Sequence, residues 1–331
     1  MVELNLVLLI ITIVLALSYA YANGLNDAAN AIATVVATRV LTPTAAVLLG
    51  AVMNLAGALT GTAVAKTIGK GIVDPTFMTQ AGVMAAILAA VAWVLVATRF
   101  GLPVSVSHSL VAGVLGSGLA VAGFDKISQS VMMKVLAALA FSPLLGFIGA
   151  FIVMVILYWV LHRFSISFIN KIFSKLQILS AALLSYAHGK NDAQNAIGIM
   201  ALGWAVYYSS GVTVELWMQI SAGIAIGLGT AFGGWRVINT LGNKITTLNP
   251  TSGFVANISA SAVIEAASNI GLPVSTTHTS SSAIMGVGST RGLKAVSFTV
   301  IRSIFTAWIV TYPFCLFLAW VFAKLITAIL P

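Results

Sequence analysis

Charge and cysteine are scarce in this chain. Only 7 of its 331 residues are acidic, and charged residues of both signs make up 7% of it, against roughly 25% in a soluble globular domain. Hydrophobic residues make up 60%. This composition excludes a soluble domain and indicates a polytopic membrane protein. The single cysteine, Cys315, excludes an internal disulfide and is expected to be a packing residue.

The basic residues are few and lie in short segments. The densest such segment runs from His162 to Lys175, and the positive-inside rule places it in the cytoplasm, with both termini outside. The net charge of +9 is spread over such segments, which argues against nucleic acid as a partner. The first apolar stretch lacks a basic leader, so we expect a mature helix there rather than a cleaved signal.

Long apolar stretches dominate the rest of the chain. A membrane crossing takes about 20 apolar residues as a helix, and the last stretch and the one near the middle are longer than that. We expect an all-α membrane protein of ten to twelve membrane segments, some of them re-entrant rather than full crossings. The stretches are 4–22, 44–65, 78–98, 104–122, 131–161, 196–208, 212–233, 252–270, 273–289 and 295–328.

Two phrases occur twice, in the same order. Gly24–Ala33 returns as Gly189–Gly198 with seven of ten positions identical, at an offset of 192 − 27 = 165. Gly101–Ser109 returns as Gly271–Thr279 with six of nine identical, at an offset of 271 − 101 = 170. A weaker echo relates the Gly-Thr-Ala triplet that begins at Gly61 to the one that begins at Gly229.

These echoes predict a tandem duplication. Residues 1–161 form an N-terminal repeat, 162–175 a basic cytoplasmic linker and 176–331 a C-terminal repeat. We favour inverted halves over parallel ones, because inversion places both copies of each motif at the same depth in the membrane.

The first phrase puts a carboxylate among amides. On a helix, Asn23, Asp27 and Asn30 share one face, and Asn26 projects beside it. Carboxylate and amide oxygens are the hard ligands that small cations prefer. Gly24 predicts a break in the helix that would free backbone carbonyls for an ion.

The second copy repeats this pattern with one change. Asp192 and Asn195 occupy the same face, but His188 stands where the first copy has an asparagine. Asn191 lies beside the face, and Gly189 predicts a second break. The alternative is a pair of buried polar clusters that only lock helices together. Carboxylates in mid-membrane cost roughly 2.5–3.5 kcal/mol each on insertion scales, which favours a functional site.

The second phrase predicts an anion-binding site at a helix N-terminus, which we call the cradle. Pro103 and Pro273 fit the first turn of a helix, where free N–H groups and nearby hydroxyls favour phosphate-like anions. The alternative is an ordinary capped membrane helix. His108 and His278, which follow, are expected to be structural hydrogen bonders rather than proton carriers. The hydroxyls belong to Ser105 and Ser107 in one copy and to Ser275, Thr276 and Thr277 in the other.

One acidic residue breaks the symmetry. Glu265 precedes the second cradle, and the matching position in the first half is Leu95. The difference suggests an additional site for a coupling ion or proton, with a packing role as the alternative. We therefore expect one shared anion site with inequivalent ion sites around it.

The duplicated Gly-x-Asn-Asp-x-x-Asn-Ala and Gly-Leu-Pro-Val-Ser-x-x-His phrases resemble those of the PiT family of inorganic phosphate transporters. The likeness covers both halves, and the short linker is similar to that of compact prokaryotic members. It implies secondary active symport of phosphate with Na⁺ or H⁺, about twelve membrane segments, inverted repeats and a homodimer. We expect a multi-pass protein of the cell's inner (plasma) membrane.

The resemblance also assigns roles. Asp27, Asp192, Asn30 and Asn195 would hold the coupling ions, which we extend to Asn23 and Glu265 from the residue patterns above. Asn26, Asn191 and the two hydroxyl clusters would hold phosphate. Na⁺ is favoured as the coupling ion, and no other cofactor is expected.

Other functions remain open at this point. An H⁺-coupled phosphate permease, or a permease for sulfate or a metal–phosphate complex, would keep the same fold. An ion channel is the candidate from another class, although embedded carboxylates in both halves argue for coupling. An intramembrane hydrolase using Ser107 and His108 is disfavoured, because adjacent residues rarely present themselves as nucleophile and base. We therefore do not expect an enzyme.

Overall fold

The computed structural model describes the backbone of residues 2–329 and the side chains of 4–27 and 29–329. This part of the chain is nearly all helical, which confirms the predicted all-α class. Its α helices are α1 (Val2–Ala37), α2 (Pro43–Ala58), α3 (Ala63–Lys70), α4 (Gln80–Phe100), α5 (Val106–Val121), α6 (Gln129–Leu161), α7 (Ile166–Tyr208), α8 (Leu216–Phe232), α9 (Trp235–Asn239), α10 (Pro250–Asn269), α11 (Thr276–Ser289) and α12 (Phe298–Ile329).

The helices follow the same order in both halves. Each half has a very long helix, a bent pair, a helix of about 20 residues, a shorter helix after the second phrase and a final long helix. The stretches 131–161 and 295–328, each long enough for more than one segment, turn out to be single helices, α6 and α12. Each carries an internal proline, Pro143 and Pro313. Their separation, 313 − 143 = 170, is a further echo of the duplication.

Four helices of the described chain are long and apolar enough to cross a membrane: α1, α4, α6 and α12. Two bent pairs raise this to six if each is one span: α2 with α3, at 71°, and α8 with residues 235–244, at 64°. The helices α7 and α10 have the length but not the apolarity, because they carry polar clusters. With 16 and 14 residues, α5 and α11 are shorter than a crossing of about 20, as the predicted re-entrant elements require.

The two phrases with Asn-Asp do not break their helices. Helices α1 and α7 continue through Gly24 and Gly189, so that prediction was wrong. A Cβ atom on Gly24 would lie 2.2 Å from the carbonyl oxygen of Ile226, and one on Gly189 would lie 2.1 Å from that of Asn54. The glycines are there because α1 packs closely on α8 and α7 on α2, and only a hydrogen fits between the backbones.

The linker between the halves is shorter than the basic segment. Only residues 162–165 separate α6 from α7. Ser165 caps α7 by accepting a hydrogen bond from the backbone N–H of Phe168, so the helix already begins at Ile166. Lys171 and Lys175 therefore lie on the first turns of α7 and not in a loop.

Candidate ion and anion site

The carboxylates of the two Asn-Asp phrases meet in the interior. Asp27 and Asp192 are each about 1% exposed, on α1 and α7, and these helices pack against each other. One oxygen of each carboxylate and a ring nitrogen of His188 lie within 4.8 Å of one another. Among the side chains the structure describes, neither carboxylate pairs with a lysine or an arginine. The centre therefore brings two carboxyl groups together without a lysine or arginine beside them in the described part of the chain.

The second hydroxyl cluster bridges the carboxylates. The hydroxyl of Thr276 lies 3.3 Å from Asp27 Oδ2 and 3.1 Å from Asp192 Oδ2, so it can donate to either. Thr277 donates to Asp27 Oδ1 at 2.5 Å. Both threonines lie in the first turn of α11. The sequence-predicted cation and anion motifs are thus parts of one site.

The halves complete each other in this site. Asn30 of the first half donates to Thr277 Oγ1 of the second at 3.0 Å. Asn195 of the second half donates to Ser107 Oγ of the first at 2.8 Å. The two contacts correspond under the repeat, since Asn30 matches Asn195 and Ser107 matches Thr277. A single half would lack the partner of each asparagine.

The unmatched pair Asn23 and His188 converges on one carboxylate. Asn23 donates to Asp192 Oδ2 at 3.0 Å, and His188 Nε2 lies 3.4 Å from the same oxygen. Behind it, His188 Nδ1 lies 2.8 Å from Asn54 Oδ1, and Asn54 donates to Thr230 Oγ1 at 2.9 Å. Because an amide oxygen only accepts, Nδ1 carries a proton in this arrangement. Asp192 and Asp27 therefore have different surroundings, as the sequence asymmetry predicts.

Several amide oxygens at the site are buried and have no hydrogen-bond partner among the described residues. They are Oδ1 of Asn23, Asn26, Asn30 and Asn195. Buried polar atoms without a partner are uncommon and call for an explanation. Amide oxygens of this kind are the hard ligands that small cations prefer. Three of the four belong to residues predicted to bind the coupling ion.

Asn26 and Asn191 occupy a different place from the one predicted for them. Asn26 donates to Thr98 Oγ1 at 2.8 Å, and the Asn191 amide lies 2.8 Å from Ser268 Oγ. The amide groups expected to bind phosphate thus form hydrogen bonds with the helices that precede the hydroxyl clusters. Thr98 and Ser268 are themselves related by 268 − 98 = 170, so a longer comparison of the halves would have found them.

The first serine of each copy of the second phrase is a helix N-cap. Ser105 accepts from the N–H of His108, and Ser275 from that of His278, each at 3.1 Å. Helices α5 and α11 therefore start after these serines, and the predicted location of Pro103 and Pro273 in the first turn was wrong. The N-cap oxygen serves a backbone N–H, which leaves Ser107, Thr276 and Thr277 as the hydroxyls directed to the site.

The starts of α5 and α11 lie side by side. The rings of His108 and His278 are 4.5 Å apart, and His278 stacks on Trp308 at 3.8 Å. Two helix N-termini that meet at one place provide free backbone N–H groups and a positive potential, which is a setting for an anion.

Comparison with known proteins identifies this architecture. The sequence profile described as the phosphate transporter family matches residues 23–169 and 162–319. The chain belongs to this phosphate transporter family. That confirms the resemblance to the PiT family on which the expectations above rest.

Individual members of the phosphate transporter family agree along nearly the whole chain. A probable low-affinity inorganic phosphate transporter of Bacillus subtilis is 41% identical over 315 residues, covering 94% of this chain and 95% of its own. One of the same name from Rhizobium meliloti is 43% identical over 309 residues, covering 92% of each. A solved structure, the sodium-dependent phosphate transporter, superposes with a TM-score of 0.90 at 28% identity over 98% of this chain and all of its own. These relatives are transporters rather than enzymes.

Glu265 lies apart from the central site of this family member. Its carboxylate forms an ion pair with Lys190, and the Lys190 ammonium also donates to Asn269 Oδ1 at 2.7 Å. The Glu265 side chain is 36% exposed and that of Lys190 11%. The structure therefore does not bring Glu265 to the cluster around Asp27 and Asp192. Lys190 stands where the first half has Leu25, so the two departures from the repeat are each other's partners.

Two residues that contact the site were not predicted from the sequence. Asn54 on α2 and Thr230 on α8 orient His188 from elements that carry neither phrase. Thr230 belongs to the weak Gly-Thr-Ala repeat, and that repeat could have marked it as a candidate site residue. Asn54 has no matching asparagine, and only the packing of α2 on α7 brings it to the histidine.

Proposed function

We propose that this phosphate transporter is a secondary active symporter that moves inorganic phosphate together with a cation, with Na⁺ favoured. The observation that carries the proposal is the pair of buried carboxylates, Asp27 and Asp192, joined through Thr276 and without a lysine or arginine partner among the described side chains. Two such charges need a mobile cation to be stable.

Charge balance explains why the cargo and the cation would travel together. A phosphate with one or two negative charges cannot settle beside two carboxylates in a water-poor interior. A bound cation lowers that cost, and bound phosphate in turn strengthens cation binding. Because coupling between sites is reciprocal, the doubly loaded form is favoured.

Phosphate would be bound by hydroxyl and backbone N–H donors that lie close to the two carboxylates. Ser107, Thr276 and Thr277 supply hydroxyls, and the first turns of α5 and α11 supply free N–H groups. Hydroxyls that now serve a carboxylate or accept from an asparagine can turn toward an anion, since a hydroxyl rotates to suit its partner.

The amide oxygens favour Na⁺ as the coupling ion. Asn23, Asn30 and Asn195 each hold a buried, unpartnered oxygen near a carboxylate phrase, and hard cations prefer such ligands. The sodium dependence in the name of the solved relative supports the same choice.

One contact favours H⁺ as the second candidate. His188 Nδ1 is committed to Asn54, so Nε2 faces Asp192 Oδ2 at 3.4 Å with no donor of its own unless a proton is added. A proton, or a cation held between the two groups, would complete this contact.

Inverted halves and alternating access are part of the proposal. The matched phrases of the two halves meet in one buried cluster, which requires both at the same membrane depth, and a two-fold axis in the membrane plane provides that. Rocking of one half against the other would then expose the shared site to each side. We also propose a homodimer in the plasma membrane, which mass measurement of the purified protein in detergent would check.

Uptake into proteoliposomes tests the proposal. Labelled phosphate uptake is measured with an imposed Na⁺ gradient or an imposed pH gradient, one at a time. We expect accumulation above the external concentration under the Na⁺ gradient, and its loss in Asp27→Asn and Asp192→Asn but not in Glu215→Gln, an exposed residue with the same charge change.

The alternatives give different results in the same assay. Accumulation driven only by the pH gradient would select H⁺, and equal inhibition by excess sulfate would widen the cargo. Phosphate entry that never exceeds equilibrium would indicate a channel. Retained ion dependence in both aspartate variants would refute the assignment of the site.

A further inference from the structure

A basic cavity lies outside the central site. Its volume is about 700 Å³, and its walls come from α3, from the turns before α4 and α6, from the start of α6, and from residues 270–272. Four lysines line it: Lys66, Lys70, Lys126 and Lys134.

The cavity has an excess of positive charge. Among the described residues, those that line it and are acidic are Asp74 and Asp125, which leaves a net charge of +2 from 4 − 2. Hydrogen bonds from the hydroxyl and the backbone N–H of Thr76 lower the pKa of Asp74, so this carboxylate remains charged. Its hydrogen bonds go to Thr76 rather than to a lysine of the cavity. None of the four lysines forms an ion pair with a described residue. Lys126 instead lies 4.4 Å from the centre of the Phe77 ring. These cations remain available to an anionic ligand.

An apolar groove continues from this cavity. It encloses about 770 Å³ between α6 and α10, and Lys134, Ile270 and Leu272 line both spaces. Along α6 the groove runs from Lys134 to Gly149, about 22 Å at 1.5 Å per residue. One leaflet of a bilayer has about 15 Å of hydrocarbon. The groove is therefore long enough for an acyl chain, with the cations at one end.

We propose that this joined surface, the lysine cavity plus the α6–α10 groove, binds an anionic phospholipid. The phosphodiester would meet the lysines, and an acyl chain would lie in the groove. Free phosphate shares the headgroup chemistry but would leave the groove without an occupant. The continuity of a cationic end with an apolar channel is what selects the lipid.

Such a lipid would touch the segment that leads to the central site. Thr67 on α3 donates to the carbonyl of Gly271 at 2.7 Å. The next residue, Leu272, lines both the lysine cavity and the apolar groove. The hydroxyls of Thr276 and Thr277 follow within five residues. A bound lipid would therefore brace α3 against the start of the second hydroxyl cluster.

Lipid titration of the full-length protein in detergent tests this proposal. The probe is phosphatidylglycerol, compared with phosphatidylcholine, and bound lipid is counted by native mass spectrometry. The variants are Lys70→Gln with Lys134→Gln, which removes two cavity charges, and Ala137→Phe, which fills the groove from an exposed position. Lys171→Gln with Lys175→Gln is the matched charge control on α7.

The expected result is selective binding of phosphatidylglycerol by the unmodified protein. A lysine near an anionic headgroup contributes roughly a fivefold gain in affinity, so the double cavity variant should bind about 25-fold more weakly. Ala137→Phe should also lose the lipid, while the control should keep it.

Three results would overturn the proposal. One is equal binding of the two lipids, and another is an equal loss in the cavity variant and the control. The third is a cavity variant that keeps phosphatidylglycerol but loses stabilisation by added inorganic phosphate, which would assign the cavity to the free anion. Because none of these readouts depends on uptake, they are independent of the coupling mechanism proposed above.

Discussion

Asp27 and Asp192 lie where a membrane protein least tolerates charge, and every neighbour described for them is neutral or titratable. At the 4.8 Å limit of their separation, two full charges repel by about 3.5 kcal/mol at an effective dielectric constant of 20. Hydroxyls and amides lower that cost without cancelling it. The residues alone therefore make the site dependent on a cation or a proton.

Thr277 offers the sharpest test at the residue scale. Its hydroxyl donates to Asp27 and accepts from Asn30, so Thr277→Val leaves both groups without that partner while keeping the shape. We expect phosphate uptake to fall by a factor of about 5 to 150, since such a loss is worth about 1–3 kcal/mol. Thr277→Ser keeps the hydroxyl and should retain most of the activity. Similar uptake by the valine and serine variants would count against a direct role.

At the scale of the elements, close contacts between helices of opposite halves hold the site. The glycine of each Asn-Asp phrase lies against a helix of the other half, and the small residue lets the backbones approach. Those glycines are needed for packing rather than for a break.

Gly24→Ala and Gly189→Ala test this packing. The added methyl groups would lie 2.2 and 2.1 Å from backbone oxygens, so one helix must shift, and we expect a loss of about 1–3 kcal/mol in thermal unfolding. Gly149→Ala is the matched control, because its new Cβ meets nothing closer than 3.9 Å. It should be neutral or stabilising by up to about 1 kcal/mol. Equal effects at all three positions would rule out a packing role.

The ion pair of Lys190 and Glu265 belongs to the same scale. The first half has Leu25 and Leu95 at these positions, which shows that two leucines suit the fold. We expect Glu265→Leu alone to destabilise by about 1 kcal/mol, because it strands a mostly buried ammonium. Adding Lys190→Leu should recover that loss. A double variant as unstable as the sum of the singles would show that the pair is not a unit.

At the scale of the whole molecule, the halves are interleaved. Helix α1 packs on α8 and α2 on α7, while α5 packs on α12 and α6 on α11. The contacts Asn30–Thr277 and Asn195–Ser107 also cross from one half to the other. A movement of one half against the other therefore changes the site itself.

A single shared site predicts reciprocal binding. Saturating Na⁺ should tighten phosphate binding by a factor in the range of about 5 to 150, and saturating phosphate should tighten Na⁺ binding by the same factor. Calorimetric titration in both orders measures the two factors. If neither ligand changed the affinity of the protein for the other, the cation and the anion would not share one site.

The sequence by itself determined the membrane class and the family, and its repeated phrases predicted most of the residues that the structure brings together in the central cluster. Those features depend on composition and on local phrases, which the chain carries at fixed spacing. Asp27, Asp192, Ser107, Thr276 and Thr277 were recognisable because polar groups are costly in an apolar chain and therefore stand out.

Only the tertiary structure decided what each group contacts. The glycines seemed to mark breaks and instead mark helix contacts, and Asn26 and Asn191 seemed to face phosphate and instead secure the approach to the hydroxyls. Glu265 seemed to be an ion ligand and is paired with Lys190. Each outcome depends on which helix of the other half lies opposite, and that is set by long-range packing that no local spacing encodes.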